Sequence, residues 1–332
     1  MAKPYGRHAV EVLGTVPPPP AQPVPPTYYD RPALKESGWG FLVATYFFVG
    51  GLAGVAQLIA TIVDLIGHRR DRPLVSAGRY LALLGSLISP LLLIADLRTP
   101  SRWYNMLRIY RGTSPMSIGS WTLMAFGTLS GLAALGQLAS DVFGLRAGRV
   151  VARWIGLPAA ASGALLAGYT GTLLAATSSP LWATGFRILP PLFAMSGTAT
   201  ATAALSLVLR RIGAPRATLQ RLERLSLAAS LAELVLAVRQ TREWRHAGVA
   251  GPLDEPPLAI PYRLGSLGLG ILVPLAVHLA QALTGRELRT ASTLASVAAL
   301  IGGYAQRAAI VFAGRRSAER PRDYFRLTAA RP

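Results

Sequence analysis

The sequence predicts an all-α polytopic membrane protein, and three observations carry this prediction. The chain of 332 residues is 52% hydrophobic and only 15% charged, which is too apolar for an ordinary soluble domain. Its apolar residues gather into eight long stretches, and a helix needs about 20 such residues to cross the hydrocarbon core. Arginines occupy the gaps, where they anchor to lipid headgroups and set topology. The net charge of +19 therefore reflects membrane topology, and no nucleic-acid partner is expected.

Eight transmembrane helices are predicted from the apolar stretches. They cover residues 38–66, 75–97, 117–140, 150–176, 188–210, 219–239, 263–284 and 289–314. An even number of spans puts both termini on one side of the membrane, here called side A. The opposite face, side B, concentrates its arginines in very short loops, including those at positions 69 to 79. The positive-inside rule therefore favours side B as the cytoplasmic face.

Two segments flank the predicted membrane domain. Residues 1–37 form a proline-rich extramembrane arm, and the run Pro17 to Pro20 replaces the apolar segment that a secretory signal would need. Such a composition favours extended or disordered backbone. The arm is either a free tail or an extended segment laid across a partner, with Tyr28 and Tyr29 as anchors. Residues 315–332 form a basic C-terminal tail.

A weak but ordered internal duplication relates the two halves of the chain. Ile118–Ser120 at the start of span 3 matches Leu264–Ser266 at the start of span 7, and Gly168–Tyr169 in span 4 matches Gly303–Tyr304 in span 8. Four spans per repeat means that the repeats run parallel. The sequence therefore predicts two parallel-repeat four-helix bundles, a first one over residues 38–177 and a second one over residues 188–314.

Several motifs in this order identify a family. They are Tyr46-Phe47-Phe48-Val49-Gly50-Gly51-Leu52-Ala53-Gly54, Ala95-Asp96-Leu97, Thr113-Ser114-Pro115-Met116-Ser117, Gly168-Tyr169-Thr170-Gly171, Leu189-Pro190-Pro191-Leu192-Phe193, and Arg307 with Val311-Phe312-Ala313-Gly314. From Tyr28 onward the chain resembles the NrfD/PsrC family, the quinone-facing membrane subunit of polysulfide-reductase-like and related molybdopterin oxidoreductase complexes. It departs from the usual pattern in its longer proline-rich arm and in Arg98-Thr99 after the Asp-Leu pair.

The resemblance implies a subunit of the bacterial or archaeal inner membrane that carries no cofactor of its own. It implies that the chain binds a quinone, menaquinone or ubiquinone, near the face where a ferredoxin-like iron–sulfur subunit docks. That partner would link it to a catalytic, often molybdopterin-containing, subunit. In the loop from Leu97 to Ser117, arginines alternate with Trp103, Tyr104 and Tyr110. This loop is either a collar for lipid headgroups or, as the resemblance favours, the docking face.

Ionisable residues inside the spans lead to a compatible interpretation, since each is costly to bury unless paired, wet or functional. Glu233 and Arg307 lie at similar depth, roughly 10 Å from side A, and are predicted to form a structural ion pair that closes the second bundle. In the first bundle Thr172 takes the position of Arg307, so Asp96 lacks a matching arginine. Asp96 is thus better placed to serve a ligand.

The predicted quinone site lies at the side A end of the first bundle. In this hypothesis Tyr169 hydrogen-bonds a quinone oxygen, Asp96 exchanges the proton of the redox reaction, and Tyr46, Ser120 and Thr170 complete the site. Each has a plainer alternative. Asp96 can cap its helix and pair with Arg98 or Arg102, the tyrosines can be packing or interfacial aromatics, and the two hydroxyls can satisfy backbone carbonyls.

Metal and haem sites are not expected. The chain has no cysteine for an iron–sulfur cluster, and His278 is the one histidine inside a predicted span, so a bis-histidine haem lacks its second ligand. His278 is interpreted as a packed or water-linked residue, with a proton path to Asp64 as the alternative. Trp39, Trp103, Trp121 and Trp182 are expected to anchor at the membrane interface.

The function predicted from these observations is a quinone-reactive membrane anchor of a multi-subunit oxidoreductase. It would exchange electrons between the quinone pool and the iron–sulfur partner and have no turnover alone. The main alternative is a proton or solute transporter built on duplicated bundles, with the intramembrane charges as its path. A third interpretation is a purely structural anchor, in which Asp96 and Tyr169 are replaceable without effect on quinone binding.

Overall fold

The computed structural model describes residues 34–286 and 288–329, and these fold into helices without any β-strand. The α-helices in chain order are α1 (Phe41–Ile66), α2 (Arg72–Asp96), α3 (Pro115–Phe143), α4 (Arg146–Ala175), α5 (Pro180–Thr184), α6 (Leu189–Arg211), α7 (Arg216–His246), α8 (Gly251–Asp254), α9 (Val273–Thr284), α10 (Arg289–Glu319) and α11 (Pro321–Ala329). A 3₁₀ turn, Arg69–Asp71, precedes α2. A second 3₁₀ helix, Pro100–Leu107, follows α2 and is called the loop helix. A π-helix, Pro261–Leu272, runs into α9 and is called the π segment.

Within the described ranges, seven helices are long and apolar enough to cross a membrane. They are α1, α2 with its preceding turn, α3, α4, α6, the π segment with α9, and α10. The predicted span 219–239 falls within α7, which is long enough at 31 residues but carries charged side chains near both ends. The predicted all-α membrane fold is therefore confirmed, while the eighth span stays a prediction.

The predicted flanking segments are covered only in part. Most of the N-terminal arm, including Pro17 to Pro20 and both tyrosine anchors, lies outside the described residues. The predicted C-terminal tail begins inside α10, which continues to Glu319, and most of its remainder forms α11. The C-terminal boundary of the last long helix therefore lies five residues beyond the predicted end at 314.

The long helices form two groups of contacts. In the first half of the chain α1 packs on α2 and α4, and α3 packs on α2 and α4. In the second half α6 packs on α7 and α10, and the π segment packs on α10. Glycines permit close approach in both groups: a methyl group at Gly54 would lie 2.3 Å from the Gly163 carbonyl oxygen, and Gly302 meets the backbone of Gly270 in the same way. Helices α1 and α4 also contact α6, which joins the halves.

The side A end of this joint is closed by α5. Trp182 of α5 is fully buried, and its indole Nε1 donates a hydrogen bond to the Ile310 carbonyl at 2.8 Å. Trp244 donates in turn to the Leu181 carbonyl, also at 2.8 Å. The expectation that Trp182 anchors at the membrane interface is therefore wrong, because its N–H finds a backbone acceptor inside the protein. Trp103 and Trp121 are exposed.

Candidate functional site

An apolar cavity opens between α2 and α3 near side A. Its volume is about 320 Å³. The loop helix closes one side with Trp103 and Met106, and α3 supplies Ser120 and Gly127. Helix α2 contributes apolar residues and Pro90, which lies inside the helix. The cavity is thus built by a helix that contains a proline and by a loop segment that folds back over it.

Pro90 gives this apolar wall a polar feature. A proline has no N–H to donate to the carbonyl four residues earlier, which here belongs to Ser86. Ser86 also lines the cavity, and its hydroxyl donates to the Leu83 carbonyl at 2.9 Å. Across the cavity the Ser120 hydroxyl donates to the Met116 carbonyl at 3.0 Å. Both hydroxyls keep lone pairs that can accept a hydrogen bond from a ligand.

The structure separates the predicted site residues into two places. Ser120 is the one member of the predicted set that lines the cavity among the described residues. Asp96 lies two residues beyond the lining residue Ile94, about 3 Å further along α2. Tyr46, Tyr169 and Thr170 lie inside the helix group and are buried. Ser120 therefore belongs to the cavity, Asp96 lies beyond it at the end of α2, and the other three are buried in the helix packing.

Tyr169 contacts α3 directly. It is 6% exposed, and its hydroxyl donates to the Pro115 carbonyl at the first residue of α3. Gly119 lies against the ring: a methyl group there would come within 2.4 Å of the ring atom Cε1. Tyr169 thus fixes the start of the helix that carries Ser120. Tyr46 of α1 lies near Tyr169 and packs on Phe47 with 5.5 Å between ring centroids.

Two buried hydroxyls of the first half have no partner in the described part of the chain. Thr170 is fully buried and its Oγ1 makes no hydrogen bond. The hydroxyl of Ser89 in α2 is also fully buried and makes no hydrogen bond. A methyl group on Gly50 would lie 3.4 Å from the Tyr46 ring and 3.6 Å from the Ser89 hydroxyl, so Ser89 and Tyr46 share one layer. Unpaired buried hydroxyls are costly, which favours a bound water as their partner.

Asp96 is half-buried at the last residue of α2. Among the described residues it makes no ion pair with Arg98 or Arg102, the partners of the surface alternative. Its carboxylate instead feels the charge of Arg315 at the side A end of α10. Arg315 is itself bonded to Glu36, with 2.8 Å from its Nε to the carboxylate. The guanidinium that acts on Asp96 is therefore already paired with the Glu36 carboxylate.

Arg79 was expected among the arginines of the side B loops, and the structure places it elsewhere. It is fully buried inside α2. Its Nη2 donates to the Asp64 carboxylate at 2.9 Å and to the Ala152 carbonyl at 3.0 Å, and its Nη1 donates to Gln137. The sequence feature that indicates this burial is the position of Arg79, seven residues after Arg72 and so two turns inside the helix. Asp64 is therefore bound to Arg79, and the path from Asp64 to His278 has no support in the contacts.

Glu233 and Arg307 lie in one buried polar cluster of the second half, but the hydrogen bonds run through Gln306. The Gln306 amide donates to Glu233 at 2.9 Å, and Arg307 donates to the Gln306 carbonyl oxygen. Arg307 also donates to the Phe193 carbonyl at 2.8 Å, and its guanidinium carbon lies 4.0 Å from the centroid of the Phe193 ring. In the described residues, the cluster is thus a relay and not a direct carboxylate–guanidinium contact.

The structure places no group of three or more metal-binding side chains together in the described ranges.

The comparisons with known proteins agree with the motifs. The sequence profile of the family described as polysulphide reductase, NrfD, matches residues 33–317. The C subunit of polysulfide reductase from Wolinella succinogenes is 30% identical over 173 residues, which are 48% of this chain and 54% of that protein. The alignment thus spans about half the length of this curated relative. Because the profile match covers most of the chain, the resemblance is confirmed: the protein belongs to the polysulphide reductase NrfD family and is a multi-pass membrane protein.

Proposed function

We propose that this protein exchanges electrons between the membrane quinone pool and an iron–sulfur partner subunit, as the membrane anchor of an oxidoreductase of the bacterial or archaeal inner membrane. The observation that carries the proposal is the apolar cavity at side A, with its few polar groups. Its volume of about 320 Å³ falls within the range of small-molecule sites. The membership in the NrfD family and the similarity to a polysulfide reductase subunit support the oxidoreductase context.

The cavity fits a quinone headgroup in three respects. Its wall is mostly apolar and opens beside lipid-exposed residues such as Leu87 and Leu91 of α2, so a lipophilic substrate enters from the bilayer. Ser120 and the Ser86 carbonyl offer acceptors for the hydroxyls of a quinol. Gly127 of α3 leaves open space on the wall opposite α2, so the cavity has room for a planar ring.

The proton chemistry falls to Asp96 in this proposal. Oxidation of a quinol releases two electrons and two protons, and the electrons leave to the iron–sulfur partner. Asp96, beyond the cavity at the side A end of α2, takes up the two released protons one after the other and passes each to side A, and in the reverse direction it supplies both. Tyr169 and Tyr46 act as positioning residues, because Tyr169 holds the first turn of α3 and with it Ser120.

The partner docks, in this proposal, on the loop helix. Trp103 lines the cavity and is also 44% exposed, so one side chain connects the site to the protein surface. Tyr104 and Tyr110 are exposed beside it. The surrounding arginines suit an acidic partner surface. The partner would connect the chain to a catalytic subunit, and a molybdopterin enzyme is the proposed kind.

The proposed architecture retains an eighth span and the two parallel repeats. Between Arg224 and Arg239, helix α7 has 14 residues with Glu233 as the one charge, which gives about 21 Å of apolar length. Glu233 faces the buried Gln306 and not lipid. Arginines at both ends can extend to the headgroups. These features support α7 as a membrane span that completes a second group of four.

A cavity-filling substitution tests the quinone site. A side chain at Gly127 has room, since a methyl group there finds no atom closer than 3.9 Å, so Gly127→Leu fills the cavity without a backbone clash. Quinol oxidation with a dye acceptor, in complex purified from native membranes, is expected to fall by about 100-fold or more. Co-purification of an iron–sulfur protein would be scored by iron analysis in the same sample.

Gly131→Leu is the matched control, because Gly131 lies one turn further along α3, has nothing within 4 Å, and does not line the cavity. Equal activity of both variants, with the complex intact, would remove the cavity from the proposal.

The transporter alternative draws on the buried charges of both halves, Arg79 with Asp64 and Arg307 with Glu233. It predicts proton or solute uptake by proteoliposomes that contain this chain alone. The quinone proposal predicts no uptake from the chain alone and quinol oxidation from the complex.

A further inference from the structure

A basic cleft lies at the side B end of the second half, away from the proposed quinone site. Its main cavity has a volume of about 530 Å³ and is lined by Arg210, Arg216 and Arg289 at the ends of α6, α7 and α10. A smaller cavity of about 180 Å³ adjoins it and is lined by Arg224 and Arg286. Gln220, Glu223 and Gln281 line both cavities, so the two form one cleft.

Two short turns create the cleft. Gly213 ends the α6 turn with φ of 68°, and Gly285 ends α9 with φ of 66°, a left-handed conformation that glycine adopts without strain. The turns bring the starts of α7 and α10 beside the ends of α6 and α9. Three of these helix ends supply an arginine to the cleft directly, and Arg286 follows the end of α9.

The cleft carries a clear excess of positive charge. Five arginines line it against the one carboxylate of Glu223, which is bonded to Arg210. The sequence adds Glu287 between Arg286 and Arg289, which still leaves five positive charges against two negative ones. Two buried nitrogen atoms of lining residues have no hydrogen-bond partner in the described structure, the Nε of Arg210 and the Nδ1 of His278. His278 is 6% exposed and lines the smaller cavity.

We propose that this cleft binds the phosphate headgroup of an anionic phospholipid. Guanidinium groups match phosphate oxygens in geometry and charge, and basic pockets between membrane helices are a recurrent kind of anionic-lipid site. The cleft lies at the level of the helix ends, where headgroups lie. Ile212 and Leu283 beside it are 58% and 78% exposed, which gives the acyl chains an apolar surface. A free phosphate would share the headgroup chemistry but gain nothing from these apolar neighbours.

Lipid retention tests the proposal without reference to quinone turnover. The full chain, purified with its partner subunits in mild detergent, is expected to retain phosphatidylglycerol or cardiolipin in at least stoichiometric amount by mass spectrometry. In the double variant Arg224→Gln/Arg286→Gln the affinity for added phosphatidylglycerol is expected to fall about 30-fold, because each basic residue contributes roughly 1 kcal/mol to the binding of an anionic lipid. These two arginines line the cleft and are exposed, so their loss spares the helix packing.

The matched control removes two side B arginines of the first half, in Arg69→Gln/Arg146→Gln. Unchanged lipid affinity in this control supports a specific lipid site in the cleft. An equal loss in both double variants overturns the proposal in favour of general surface charge.

Inorganic phosphate distinguishes the two sources of phosphate. If millimolar phosphate raises the melting temperature of the wild type as much as phosphatidylglycerol does, the ligand is a free anion and the lipid proposal fails. Phosphatidylcholine is expected to give no shift.

Discussion

The two halves of the molecule place their buried guanidinium groups towards opposite faces of the membrane. In the first half Arg79 lies towards side B and binds Asp64, and the side A end holds the apolar cavity. In the second half Arg307 lies nearer side A with Gln306 and Glu233, and the side B end holds the basic cleft. In each half a buried polar network joins the helices towards one end, and a cavity lies towards the other end.

The largest expected effect comes from removal of the first network. Arg79→Met would leave the Asp64 carboxylate and the Ala152 carbonyl without their donor inside the helix group. Breaking a buried pair by loss of one partner costs about 3–5 kcal/mol, so the free energy of unfolding should fall by that amount. Unfolding in SDS, followed by circular dichroism, measures it.

The exposed Arg69→Met is the control, with an expected change within about 0.5 kcal/mol. The double variant Arg79→Met/Asp64→Asn should regain part of the loss, because it removes the uncompensated carboxylate. A cost below about 1 kcal/mol for Arg79→Met would mean that the first half does not depend on this network.

A second comparison adds one methyl group to a glycine of each half. In Gly314→Ala the new Cβ would lie 1.9 Å from indole atoms of Trp182, a fully buried side chain with a fixed hydrogen bond. Overpacking of this kind costs about 1–3 kcal/mol. In Gly119→Ala the Cβ would lie 2.4 Å from the Tyr169 ring, a smaller overlap, which a shift of the ring relieves at the expense of the hydrogen bond to the Pro115 carbonyl.

Thermal unfolding in detergent should therefore rank Gly314→Ala as clearly less stable than Gly119→Ala. The reverse ranking would show that the layer around Tyr169 is the more rigid of the two.

The sequence predicted the helices well and the depth of polar side chains poorly. Span 38–66 corresponds to α1 and span 188–210 to α6, because apolar length and arginine-rich ends are local properties of the sequence. The burial of Arg79 could not be read in this way, since one arginine near a span end has the same sequence signature at a lipid surface and inside a bundle. The same ambiguity made Trp182 an expected interface anchor.

The sequence placed the candidate site residues less well than the helices. Of the predicted set, Ser120 lines the cavity and Asp96 lies two residues beyond a lining residue on α2, while their assignment to a quinone stays a prediction. The cavity wall from Trp103 to Leu107 was expected to be a lipid-headgroup collar or a docking loop, since periodicity does not predict a 3₁₀ helix that folds back over its neighbours. Gln306 was overlooked because an uncharged amide next to Arg307 carries no signal of its own.

A third prediction concerns the relay of the second half. Glu233→Gln keeps an acceptor for the Gln306 amide, so the hydrogen bond survives and only the charge is lost. A cost of about 1–2 kcal/mol is expected, smaller than for Arg79→Met. Glu233→Leu, which removes the acceptor as well, should cost more. If Glu233→Gln proved as damaging as Arg307→Met, the direct ion pair would be the better description, and SDS unfolding of the three variants decides between them.

The smallest expected effect distinguishes a ligand from a positioning residue. Tyr169→Phe removes the hydrogen bond to the Pro115 carbonyl, which is worth about 1 kcal/mol, and leaves the ring on Gly119 in place. Because Tyr169 does not line the cavity, the start of α3 should loosen and the KM for quinol should rise a few-fold, while kcat stays within about two-fold.

Tyr304→Phe is the matched change in the second half, where the hydroxyl lies 3.5 Å from that of Thr45, and it should leave both constants unchanged. A kcat reduced by about 100-fold in Tyr169→Phe would instead place its hydroxyl on the reacting quinone. The hydrogen bond from the Tyr169 hydroxyl to the Pro115 carbonyl would then have to break when the quinone binds. The site in the first half would rearrange on binding instead of being preorganised by its packing.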